Sequence, residues 1–187
     1  GQVDAMFVAG PPPDAAVIMI GANDITALNG IRPSAHRLGD AVRRLRASGA
    51  VVVVATCPDF GVVTAIPQPL RWVAHTRGRR LARAQAVAVR AAGGVPVALA
   101  DLLLPHFRDS PELLFSKDGY HPSAAGYALV SNQLLPALCN ALGVSTGGLV
   151  EELPSASVAA KTGVGILSRL LRRPTTGVPA PVVVPIG

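Results

Sequence analysis

The sequence predicts an open α/β fold built on a parallel sheet covered on both faces. Two observations carry this. Three short apolar runs, at 15–24, 49–60 and 93–103, lack the in–out alternation of a half-exposed strand. Between and after them lie longer segments with apolar residues at helical spacing, giving the order β-α-β-α-β-α.

The elements follow in chain order. "AAVIMIGAND" (15–24) is a strand whose run ends at Gly21. Residues 34–48 place Leu38, Val42 and Leu45 on one helical face, and Gly49 closes the segment. "GAVVVVATCPDF" (49–60) holds four consecutive valines and ends at Pro58. A helix over 70–92 aligns Leu70, Val73, Leu81, Ala84 and Ala88, with Arg77, Arg79, Arg80 and Arg83 read as a solvated face. Trp72, near its start, reads as a packing residue, with a place in a substrate pocket as the alternative. "GGVPVALADLL" (93–103) is the third strand. The last helix spans 123–141, with Ser123 as its N-cap and Leu134, Leu135 and Leu138 apolar. From about residue 144 the chain turns small, polar and Pro-rich, so 144–187 reads as a low-complexity, mostly disordered tail.

Composition narrows the function classes. Half of the 187 residues are apolar and 15% are charged, a globular balance. The net charge is +6, but the arginines are scattered and no aromatics interleave with them, which argues against nucleic-acid binding. Cys57 and Cys139 match no metal spacing and read as small buried hydrophobes, their redox state unassigned. No apolar run is long enough to span a bilayer. A short basic segment, 166–173, is a candidate for contact with a membrane surface.

Two loops carry the chemistry. In "IGANDIT" a strand exits through Gly21 into Asn23, whose carboxamide could donate to a developing oxyanion. The alternative is that Asn23 or Asp24 caps the following helix. In "DGYHPS", Pro122 forces His121 into an extended conformation. Asp118, three residues earlier across Gly119, can then accept from one ring nitrogen and leave the other as a base. The alternative is a helix-entry loop with an incidental histidine. In open α/β sheets ligands gather at the carboxyl ends of the strands, where both loops and Asp59 would lie.

Together, "GAND" (21–24) and "DGYHPS" (118–123), with "HPSAAGYALVSNQLLPAL" continuing into the last helix, resemble the SGNH (GDSL) hydrolases over residues 1–143. The resemblance implies a flavodoxin-like three-layer α/β/α fold and a serine ester hydrolase working through an acyl-enzyme, with no cofactor and no metal. His121 would be the general base, Asp118 its orienting partner and Asn23 an oxyanion donor. Gly21 would shape the turn, and Asp24 would hold the loop. Substrates would be small-molecule, lipid or carbohydrate esters. The resemblance also implies a secreted or cell-envelope location for the complete protein, although the sequence itself assigns none.

The family's G-D-S block, which carries the nucleophile on the first strand, does not occur in this sequence. Gly1 and Gly10 do not sit in the context of the family's second-block glycine, and 1–14 reads as a helix and loop leading into the third strand of the fold. Ser34, Ser48 and Ser110 read as turn or cap residues, Ser116 lies on the wrong side of the dyad, and Ser123 starts a helix. The nucleophile is therefore expected upstream of Gly1, together with the first strands, and the chain alone is expected to be inactive and poorly stable. A remnant or binding protein that kept the fold and lost the serine is the alternative. A metal hydrolase using Asp24, Asp118, His121 and His75 or His106 is a third reading, weakened by the lack of ligand spacing.

Overall fold

The computed structural model describes residues 3–4 and 10–144. Its centre is a three-stranded parallel sheet, β1 (Ala15–Met19), β2 (Val51–Ala55) and β3 (Val95–Val97), in the order β1-β2-β3. Ala15 pairs with Val51, and Val53 with Val95. The helices that accompany the strands among residues 10–144 are α1 (Ala22–Thr26), α2 (Ile31–Ala47), α3 (Leu70–Ala91), α4 (Leu99–Asp109), α5 (Pro111–Leu114) and α6 (Ala124–Ala141). A 3-10 turn spans Phe60–Val62.

The strands alternate their side chains between two apolar layers. Val52 and Val54 pack with Leu38, Val42, Leu45 and Val89 of α2 and α3. Val53 and Ala55 face the opposite way, against Leu99, Leu103 and Phe107 of α4 and Ala125 and Val130 of α6. Every β2 side chain from Val52 to Ala55 is therefore buried, which is why a run of valines rather than an alternating pattern marks it. Each buried valine contributes roughly 2 kcal/mol.

β1 is different. Ala16 and Ile18 join the α2/α3 layer, whereas Val17 and Met19 are 49% and 42% exposed. These two stand in register with Val53 and Ala55, on the face that α6 covers elsewhere. The outer edge of β1 also pairs with no strand among the described residues. Valine and methionine side chains on an open face beside an open edge invite further pairing.

The third apolar run is shorter as a strand than the sequence suggested. β3 stops at Val97, and Leu99 begins α4. Leu99, Leu103 and Phe107 recur at four-residue spacing and are buried as one helical stripe. Pro105 lies inside α4 and removes the donor for the carbonyl of Asp101. Asp101 is exposed, so that carbonyl can turn to water. The loop after β1 likewise folds into α1, and α2 starts at Ile31 rather than Ser34. Ser123 caps α6, its Oγ accepting from the Gly126 N–H at 3.1 Å. The segment 144–187, including 166–173, lies outside the described residues beyond Val144. In the N-terminal segment Val3 and Asp4 are helical, and 5–9 lie outside them. No helix among the described residues is long and apolar enough to cross a membrane.

Candidate active site

Asp118 and His121 form a pair in the turn before α6. His121 Nδ1–H donates to Asp118 Oδ2 at 2.7 Å. The other carboxylate oxygen, Oδ1, accepts from the backbone N–H groups of Tyr120 (2.9 Å) and His121 (3.0 Å) and from Ser116 Oγ–H (2.6 Å). Gly119, at φ 65°, makes the left-handed step that lets the chain curl back over its own carboxylate. The hydrogen bond from His121, then those from Ser116 and the backbone, hold the Asp118 carboxyl well below its usual range.

The surroundings fix this turn. The Ser116 N–H donates to the His121 carbonyl at 2.8 Å, and the Ser123 N–H to the Leu114 carbonyl at 2.8 Å. Phe115 and Pro122 form an antiparallel bridge. The His121 ring lies against Tyr120, with centroids 5.0 Å apart, and Tyr120 lies 6.3 Å from Phe60. Burial pushes the Tyr120 phenol up from its ordinary value. Within the imidazole, Nδ1 is committed to Asp118, so Nε2 is the nitrogen left for chemistry.

The Gly21–Asp24 block sits at the carboxyl end of β1. Gly21 has φ 129°, and a Cβ there would stand 2.7 Å from Cys57 Cβ. Replacing Gly21 with Ala is expected to destabilise the fold by ~3 kcal/mol, read as a fall in the denaturant midpoint, because strain and overlap coincide. Asp24 Oδ1 accepts from Ser34 Oγ–H at 2.7 Å and Asn29 Nδ2–H at 3.0 Å, tying α1 to α2. Asn23 is exposed in α1, and its carboxamide makes no hydrogen bond with any described residue. Ala22 and Tyr120 pack on the same apolar cluster of Ile25, Cys57, Phe60 and Val63. The neighbours of Asn23 and of His121 thus share one support at one edge of the sheet.

No serine hydroxyl among the described residues bonds to the His121 ring. Ser116 donates to Asp118, Ser34 to Asp24, Ser48 to the Leu45 carbonyl and Ser123 to the Leu113 carbonyl. Both cysteines are free and buried. Burial, reinforced by the charges of Asp24 and Asp59, pushes the Cys57 thiol up to about 12, so it is no nucleophile. Among the described residues no three His, Cys, Asp or Glu side chains converge on a metal position. His75 pairs with Asp59 instead, and His106 is exposed on α4.

Several features escaped the sequence reading. Asp59 is buried, and its Oδ1 accepts from His75 Nδ1–H at 2.6 Å and from the Gly61 N–H at 2.8 Å. Gln85, fully buried on α3, accepts the Cys57 N–H at 2.7 Å and so pins the exit of β2. Within the basic run of α3, Arg79 bonds Asp101 at 2.7 Å and Arg77 bonds the Asn29 carbonyl at 3.0 Å, while Arg80 and Arg83 are exposed. Trp72 is not a packing residue: it is 64% exposed and lines a cavity.

The profile of the GDSL-like lipase/acylhydrolase family matches residues 2–129. The chain is 64% identical over 185 residues to the GDSL-like esterase Rv1075c of Mycobacterium tuberculosis, an alignment covering 96% of this chain and 59% of the relative's length. Its fold is similar to that of LAE5, an alpha/beta hydrolase from the metagenome of Lake Arreo, Spain, with a TM-score of 0.58, 17% identity, and coverage of 73% of this chain and 63% of that one. By the profile that spans most of its length and by a relative sharing nearly two thirds of its residues, this chain belongs to the GDSL-like lipase/acylhydrolase family.

Proposed function

We propose that residues 10–144 form the base-and-oxyanion part of a serine ester hydrolase whose nucleophile lies outside residues 1–187. The observation that carries the reading is the Asp118–His121 pair, in which a carboxylate satisfied by three other donors holds Nδ1 and leaves Nε2 free. In the reaction, Nε2 takes the proton from a serine Oγ as that oxygen attacks the ester carbonyl. Asp118 stabilises the imidazolium through Nδ1–H. The tetrahedral intermediate collapses, and Nε2–H protonates the departing alcohol oxygen. Water then attacks the acyl-enzyme, giving its proton to Nε2, and the serine recovers a proton as the acid leaves.

Asn23 is the side-chain donor for the oxyanion. Its place beyond β1 and its carboxamide, uncommitted among the described residues, support this role. In the full-length protein, Asn23→Ala is expected to lower kcat by ~10²–10³-fold with little change in KM, as measured with a chromogenic short-chain ester. A KM effect without a kcat effect would assign Asn23 to ground-state binding instead.

The open face of β1, with Val17 and Met19 exposed, supports further polypeptide packing there. The chain spans 59% of the length of its Mycobacterium tuberculosis relative. A small-molecule, lipid or carbohydrate ester is the substrate class of this reading, and 1–187 alone is inactive. The competing reading is a binding protein that keeps the fold without a serine. A fluorophosphonate probe on the full-length protein separates the two, since only the hydrolase gains a covalent adduct.

A further inference from the structure

A cavity of about 410 Å³ lies between the 61–72 segment and α4. Its polar wall is made by Thr64, Gln68, Arg71, His75 and Arg108, with Trp72 as an aromatic side. No carboxylate lines it. Arg71 is fixed through Nε–H, which donates to the Ile66 carbonyl at 3.0 Å, leaving its two terminal nitrogens without a partner among the described residues. Arg108 is exposed and makes no ion pair among them. His75 is oriented from behind: its Nδ1 is held by the buried Asp59, so Nε2 is the ring nitrogen left uncommitted. Gly61 makes this possible, since a Cβ there would meet His75 Nδ1 at 2.9 Å.

We propose that this cavity binds an anionic group, a carboxylate or a phosphate, through the guanidinium groups of Arg71 and Arg108 with His75 as a third polar contact. Guanidinium groups match both anions in geometry and carry a charge that the cavity leaves unbalanced. Trp72 and Leu104 give the apolar side on which the remainder of the ligand rests. The site is coupled to the turn that holds Asp118 and His121. A Cβ at Gly119 would lie 3.6 Å from Ala65 and 4.0 Å from Thr64 Oγ1, and Phe107 of the cavity meets Phe115 edge to face with centroids 4.8 Å apart. The anion therefore belongs either to the ester substrate or to a regulator, and the chemistry of its grip is the same. The proposal does not depend on the esterase reading.

The test is calorimetric titration of the full-length protein with inorganic phosphate and with succinate at low ionic strength. Binding of at least one anion is expected, weakened about tenfold or more by Arg108→Gln and by Arg71→Gln. Arg90→Gln, which removes one charge at the exposed end of α3, is expected to leave it unchanged. Arg108 makes no described hydrogen bond, so its variant reports binding even if Arg71→Gln unfolds the loop. Absence of binding, or equal weakening by Arg90→Gln and Arg108→Gln, overturns the proposal. Where binding occurs, phosphate that raises KM for a neutral ester at constant kcat marks a substrate subsite. Phosphate that changes kcat marks a regulatory site.

Discussion

Replacing His121 with Ala in the full-length protein is expected to lower kcat for ester hydrolysis by ~10⁴-fold or more, because the serine loses its only proton acceptor. The fold is expected to survive. The His121 side chain is 65% exposed, held by the Asp118 carboxylate and an edge-type contact with the Tyr120 ring. Circular dichroism and the thermal midpoint should therefore match the parent while activity is gone. Activity retained within tenfold would remove His121 from the role of base.

Asp118→Asn is expected to cost ~10⁴-fold in kcat through the tautomer of its neighbour. The carboxylate accepts from His121 Nδ1–H now. A carboxamide NH2 turned toward Nδ1 would stabilise the opposite tautomer, with the proton on Nε2 and no lone pair for the serine. The backbone bonds from Tyr120 and His121 can still reach the amide oxygen, so the turn should persist. The pH dependence follows from the same hydrogen bonds. They depress the folded carboxyl below its ordinary value of 3.8, so any stability linked to Asp118 is present above that value. It is lost as pH falls through the lower, folded value. Asp118 should consequently give no inflection in the rate profile above about pH 4. An acid limb nearer neutrality belongs to another group, and its loss in Asp118→Asn would separate orientation from charge.

The parts of this architecture that were legible in the sequence are those set by local pattern. Four valines in a row predict a strand buried on both sides, and β2 is buried on both sides. A histidine before Pro122 and an aspartate across Gly119 can meet without help from the rest of the chain, and they do, at 2.7 Å. α4 is hard to see in the sequence because its first turn follows β3 after one residue and Pro105 interrupts its pattern; the spacing of Leu99, Leu103 and Phe107 is the available signal. The Asp59–His75 pair was not legible, because it depends on how α3 lies across the end of β2. Trp72 likewise sits in the first turn of a helix whose apolar face says nothing of the cavity beside α4. The apolar run of β1 does not by itself show that one face is open, yet Val17 and Met19 lie exposed on it.

The most direct test is intact-mass spectrometry of the full-length protein before and after a fluorophosphonate probe, with peptide mapping of the adduct and His121→Ala alongside. One adduct on a serine outside residues 1–187, absent in His121→Ala, is the expected result. It would place Asp118 and His121 in service of that serine. No adduct at all, or an adduct on a serine within 1–187, would contradict the assignment.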